Sequence, residues 1–191
     1  MIIRKLWSWE WHKLRAHLLR LDRDDRRLRF CHPVSDAFID RYFDQIDRFR
    51  TTVVVCCVEG TVRGAAELVR ISDGMPARAE LALSVETPFQ EQGLGGRLLE
   101  RALLLARNRF VETVYMYSLR DNPRIQHLVR KFGARVTAFE ASSEGCIRLP
   151  RPSQISLMNE ISSDGQGLIA AAFELPSNQV QRETSDTAPA A

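Results

Sequence analysis

The chain has 191 residues, 45% of them hydrophobic and 27% charged, with a formal net charge of +3. That balance belongs to a globular protein of one domain, with or without a tail; the charge is too mild to argue for nucleic acid, and no apolar run approaches the length that spans a bilayer. The opening MIIRKLWSWEW lacks the apolar core and cleavage site of a secretory signal, and Cys31, Cys56, Cys57 and Cys146 show no C-x-x-C pairing, so reduced thiols in a cytoplasmic protein, monomeric or homodimeric and free of metal, are expected.

IIRKLW (Ile2–Trp7) reads as a short strand, after which Trp11, Leu14, Leu18 and Leu21 recur at helical spacing and predict an amphipathic helix. His12 and His17 read as surface or hydrogen-bonded helix residues. LRLDRDDRRLRF (Leu19–Phe30) alternates arginine with aspartate, the pattern of a solvated, ion-paired face; a surface for an acidic partner is the alternative. His32-Pro33 breaks the chain, and Ser35 is a candidate N-cap for a helix over DAFIDRYFDQI, with Phe38, Tyr42, Phe43 and Ile46 as its buried stripe.

The period then changes. TTVVVCCV (Thr51–Val58), a Glu59-Gly60 turn and TVRGAAELVRI (Thr61–Ile71) predict a β-hairpin, in which Cys56 and Cys57 face opposite ways. A third antiparallel strand, ARAELALSV (Ala77–Val85), has Leu81, Leu83 and Val85 on one face and Glu80, Ala82 and Ser84 on the other. A long helix over Gly95–Phe110, a strand over Thr113–Leu119 and a helix beginning at Pro123 follow, the last capped by Asp121-Asn122 and ended by Gly133. Tyr115 and Tyr117 share one strand face and read as core. Two short strands near Arg135–Glu140 and Gly145–Leu149 close a domain of residues 1–162. The polar, turn-rich remainder, 163–191, reads as a flexible tail within which LIAAAFEL forms a helical turn or docks.

Three glycines among four positions, Gly93, Gly95 and Gly96, stand where the long helix begins. Glycine weakens a helix interior, so a cluster at the entrance calls for another use; first-turn N–H groups and the helix dipole hold phosphate once side chains step aside. A P-loop needs lysine and a hydroxyl residue after its last glycine, and Arg97-Leu98 stand there instead. A dinucleotide fingerprint needs a third glycine where Leu98 lies. A tight strand-to-helix turn without ligand is the remaining plain reading.

Gln90-Glu91-Gln92-Gly93-Leu94-Gly95 resembles the Q/R-x-x-G-x-G/A signature of the GNAT acetyltransferase superfamily, and Asn122, Ile125, Leu128 and Gly133 resemble its later helix motif. The resemblance implies an α/β (α+β) GNAT fold: a mixed, mostly antiparallel sheet of six or seven strands flanked by about four helices and splayed between the fourth and fifth strands. It also implies that acetyl-CoA is the cosubstrate. Its pyrophosphate would lie on Gln90, Glu91, Gln92, Gly93, Leu94, Gly95, Gly96 and Arg97, with no side chain competing for the space; its pantetheine arm would run along Leu83, Ser84 and Val85, with Asn122 nearby. AELALSV is similar to a segment of bacterial Pat-type protein-lysine acetyltransferases in which the glutamate is the general base, and RRLRF (Arg26–Phe30) resembles another stretch of those domains. Glu80 is thus the candidate base and Glu67 the reserve, against an ordinary strand glutamate that faces solvent or pairs with an arginine such as Arg70. Val129 occupies the place of the tyrosine that protonates the leaving thiolate in many relatives, so Tyr117, Ser118, a water on Asn122 or release into solvent remain open. The implied function is acetyl transfer to an amine of a small molecule or protein lysine, or acyl-CoA binding without turnover.

Overall fold

In the computed structural model, which describes residues 1–72 and 74–173, the elements run β1 (Ile2–Lys5), α1 (Trp11–Arg20), α2 (Arg23–Phe30), α3 (Asp36–Gln45), β2 (Thr51–Val58), β3 (Thr61–Arg70), β4 (Ala77–Val85), α4 (Leu94–Asn108), β5 (Val111–Leu119), α5 (Pro123–Lys131), β6 (Arg135–Ala138), β7 (Ser142–Arg148) and α6 (Gln154–Phe173). The strands form one sheet in the order β1-β2-β3-β4-β5-β7-β6. At the hairpin turn Glu59 and Gly60 take φ of 50° and 72°, the double left-handed conformation that matches strand twist, which Gly60 favours and Glu59 adopts against its preference.

Every neighbouring pair is antiparallel except β4 and β5, which run parallel because α4 carries the chain back across the sheet. The β4–β5 ladder starts at Ala77–Val111 and ends at Glu80–Tyr115, while β4 stays paired to β3 as far as Val85. The sheet is splayed between its fourth and fifth strands, leaving one edge of Leu81–Val85 facing an opening.

Each face of the sheet has its own core. Leu94, Leu98, Leu99, Ala102 and Leu105 of α4 cover Cys56, Leu81 and Val114 on one side; Leu14 and Leu18 of α1 and Ile39 of α3 cover Val53, Val55, Cys57 and Ala65 on the other. Cys56 and Cys57 fall in different cores, as alternation demands. Ser35 caps α3, accepting from the Phe38 N–H at 3.3 Å. The fully buried residue of α3 is Ile39, whereas Phe38, Tyr42, Phe43 and Ile46 are half-buried, because α3 packs at the rim. Tyr115 is half-buried and Tyr117 is 49% exposed, so that pair is not core; Val114, Met116 and Ser118 take the inner face instead.

Two helices exceed the four expected. The first is α2, where an ion-paired face was anticipated. The Asp22 carboxylate accepts from the Asp25 N–H at 2.8 Å to start it, and Cys31 in the left-handed conformation stops it. The second is α6, which runs through the boundary expected at residue 162. Arg101 of α4, 9% exposed, pairs with Asp164 at 2.7 Å, Ala171 is buried, and Gly167 is packed so closely on Arg4 that a Cβ would lie 3.0 Å from the Arg4 Cβ. Residues 163–173 therefore hold contacts with the core, while the rest of the expected tail, 174–191, lies outside the described residues. Truncation after Ser162 should destabilise the protein by about 2 kcal/mol, chiefly by leaving Arg101 unpaired. A thermal melt should show Tm falling roughly 4–8 °C; an unchanged Tm would mean that the segment contributes nothing.

Candidate functional site

The opening between β4 and β5 continues into a cleft of about 390 Å³. It gathers Leu83, Ser84, Val85, Gln90, Glu91, Gly93, Leu94, Gly95, Gly96 and Asn122, ten of the thirteen residues singled out from sequence. Three do not line it: Gln92 turns its amide to the Pro88 carbonyl at 3.1 Å, Arg97 is exposed on α4, and Glu80 lies deeper along β4.

The three glycines have separate physical reasons. Gly93 caps α4 in the left-handed conformation, φ 73°, where a side chain would be strained. Gly95 allows close approach, since a Cβ there would sit 3.3 Å from Leu83 Cδ2 and 3.6 Å from Leu128 Cδ2. Gly96 faces Leu128, whose Cδ1 would lie 3.7 Å from a Cβ. The start of α4 therefore brings glycine to three of four successive positions lining the cleft, an arrangement suited to anions.

The expectation that no side chain occupies this run is corrected at two positions. Gln90 Nε2 donates to the Val85 carbonyl and to the Asp25 carboxylate, each at 2.9 Å, and its Oε1 accepts from Arg124. Glu91, at φ 61°, pairs with Arg124 at 3.2 Å. A strand end, α2 and α5 are thus tied across the cleft through one glutamine. Asn122 accepts from the Ile125 N–H at 3.2 Å and starts α5. Asp25, Leu28 and Arg29 of α2 and Arg124, His127 and Lys131 of α5 also line the cleft and were not singled out from sequence. The positive α5 residues are an amphipathic helix's polar face by pattern alone; their convergence is tertiary.

Glu80 is half-buried, in register between Val69 of β3 and Tyr115 of β5. Its carboxylate makes no hydrogen bond or ion pair among the described residues. Arg70, the partner of the plainer reading, donates instead to the Ser72 carbonyl at 3.1 Å. The Glu80 charge is felt nearby: burial pushes the Cys31 thiol up and Glu80 adds to that, and burial, Glu144 and Glu80 raise the Tyr117 phenol. Glu67, the reserve, is fully committed. Its oxygens accept from Arg29 Nη2 at 2.6 Å and from the Tyr42 hydroxyl at 3.0 Å, and it is 1% exposed. Burial and Glu67 push the Tyr42 phenol up to about 12; burial works against the Arg29 charge, but Glu67 and Tyr42 hold it above its ordinary value. A carboxylate so buried, and held by a guanidinium and a phenol, is turned away from substrate and is a poor base. Val129 is buried in the core against Gly145, and supplies no proton donor.

A second buried network, across 69 residues of sequence, joins α1 to the end of β4. His17 is fully buried, with Nε2 2.9 Å from Ser84 Oγ and Nδ1 3.1 Å from Glu86 Oε1. Glu86 also accepts from Arg20 Nε and Arg63 Nη1, each at 2.9 Å. Burial opposes its charge, but the His17 and Arg63 hydrogen bonds and the Arg20 charge bring its carboxyl down to about 2. An ionised Glu86 only accepts, so the His17 Nδ1 carries a proton toward it. In the neutral ring Nε2 is then the acceptor, and the Ser84 hydroxyl donates to it.

Residues 7–134 match the family model described as the acetyltransferase (GNAT) family. Among solved structures, the GNAT domain of S. lividans PAT superposes with a TM-score of 0.66 at 19% identity, covering 77% of this chain and 89% of that one. A ribosomal-protein-alanine N-acetyltransferase from Brucella melitensis gives a TM-score of 0.58 at 18% identity, covering 76% and 97%. A putative acetyltransferase from Salmonella typhimurium, solved with its cofactor acetyl-CoA, gives 0.59 at 18% identity, covering 81% and 95%. No curated protein sequence matches the chain. With the fold, the splayed strands and a family model spanning more than half of the sequence, the chain belongs to the acetyltransferase (GNAT) family.

Proposed function

We propose that the protein is an N-acetyltransferase, moving acetyl from acetyl-CoA to a primary amine of a small molecule or a protein lysine by direct attack in a ternary complex. One observation carries this reading: the open end of β4, the uncovered N-terminus of α4 and the capped start of α5 meet in a single cleft. The pyrophosphate would take the N–H groups of Gly93 to Gly96, and the pantetheine arm the free edge of Leu83–Val85. Amine attack needs a neutral nucleophile, and an ammonium of pKa ~10 must lose its proton first. Glu80 is the unengaged carboxylate on that strand and is assigned as the base. A screen of amine acceptors, reading acetylated product by mass, tests the function; no product from any amine would sink it. The buried Val129, where relatives keep a proton donor, favours a second reading, an acyl-CoA-binding regulatory domain with little turnover.

The phosphate assignment has its own test. Gly95→Glu sets an anion where the pyrophosphate would lie and should weaken acetyl-CoA binding at least ~10-fold, about 1.4 kcal/mol. Calorimetry on the folded variant showing unchanged affinity would remove the loop from this account.

A further inference from the structure

We propose that Ser84, His17 and Glu86 form a nucleophile–base–carboxylate series by which this protein also cleaves an acyl thioester with water, with Ser84 as the acyl carrier. The proposal rests on acyl-CoA occupying the cleft, but not on any amine acceptor. Its basis is geometric. Ser84 lines the cleft, its hydroxyl lies 2.9 Å from His17 Nε2, and the other ring nitrogen lies 3.1 Å from Glu86. Nucleophile, base and orienting carboxylate at these separations are the arrangement by which hydroxyls are activated on unrelated folds. Arg20 and Arg63 clamp Glu86, so the imidazole has one orientation. Acetyl transfer through Glu80 uses none of the three side chains.

The strand supplies the remaining part. The Glu86 N–H donates to the Arg63 carbonyl, which sets even positions toward β3 and leaves Leu83 and Val85 on either side of Ser84 facing the opening. The Leu83 N–H is the donor for a carbonyl oxygen that becomes an oxyanion, while the Val85 N–H stays with the pantetheine arm. In the first step Ser84 Oγ bonds to the thioester carbon and its proton passes to His17 Nε2. The C–S bond then breaks, and His17 returns the proton to the departing thiolate. Water next attacks the Ser84 ester, giving a proton to His17; the C–O bond to Ser84 breaks and Oγ takes that proton back. The sum is thioester plus water giving carboxylic acid plus thiol, with no redox change.

The experiment incubates the full chain with acetyl-CoA alone, reading thiol and acetate release, and intact mass after acid quench. The wild type should release both in equal amounts above the buffer rate, and Ser84→Ala should lower that rate about 100-fold or more. Ser84→Cys should accumulate one acetyl group, mapped to residue 84. Release no faster than buffer, or a rate retained in Ser84→Ala, would overturn the proposal. Should Ser84→Ala fail to fold, an acetyl group found on residue 84 in the quenched wild type or in Ser84→Cys upholds it, and none there overturns it. Amine acetylation without acceptor-free hydrolysis also overturns it and leaves the transferase reading standing; hydrolysis with no amine product sinks the transferase reading alone.

Discussion

Replacing Glu80 with glutamine should cut the rate of amine acetylation by about 10²–10⁴-fold, the usual share of a general base. Glutamine keeps the shape and a hydrogen-bonding head but cannot take a proton. Glu80 also has no ion pair whose loss would disturb the strand, so acetyl-CoA affinity and Tm should hold. Product must be measured as acetylated amine, because thiol release alone would also count hydrolysis. Across pH, the variant should follow the deprotonation of the amine, near pKa ~10, and recover relative to wild type as the buffer becomes basic enough to do the work of the base. Glu112→Gln, an exposed carboxylate of β5, is the comparison variant. Glu67→Gln is unsuited to that purpose, since it would strip the buried Arg29 of its partner. Normal turnover in Glu80→Gln at neutral pH would make Glu80 an ordinary strand residue and put the base elsewhere.

What the sequence revealed and what it concealed divide along one physical line. Local signals were legible. A β-branched run and a two-residue turn located β2 and β3, alternation located β4, a serine and an asparagine capped α3 and α5, and the glycines marked the mouth of α4. These depend on backbone propensity and on contacts within a few residues. Hidden features depend on partners far apart in sequence. Arg29 sits in a charged run that reads as solvent-facing, and nothing local says that Glu67, 38 residues on, will draw it inside. Likewise His17 reads as an ordinary helix residue until the fold sets it beside Ser84 and Glu86. Half-buried Tyr115 and exposed Tyr117 of β5 read as core from sequence because alternation tells which residues share a face, not which face is covered. The full length of α6 is hidden for a related reason: two glycines and a polar composition argue against a helix beyond residue 162, and packing on Arg4 and Arg101 outweighs them.

Glu86→Gln should be the most destabilising single change around the cleft. The carboxylate joins α1, β3 and the end of β4 by accepting from His17, Arg20 and Arg63. Glutamine offers one acceptor oxygen and sets an amide donor against a cation, so the arginines lose their compensating charge. Because Arg20 and Arg63 are about a third exposed, the loss falls below that of a fully buried pair, at about 2–3 kcal/mol. The pH dependence carries the sign of the cause. The carboxyl is lowered from 4.5 to about 2 on folding, so the unfolded chain binds the proton more readily. Its contribution is present in full above the unfolded value and is lost as pH falls from there through about 2. Urea unfolding of both proteins at neutral pH and near pH ~3 should show the gap shrinking by more than half at the lower pH, since only the wild type has this charge to lose. A gap of equal size at both pH values would assign the loss to packing and leave the ionised carboxylate without a part in holding α1 to the strand.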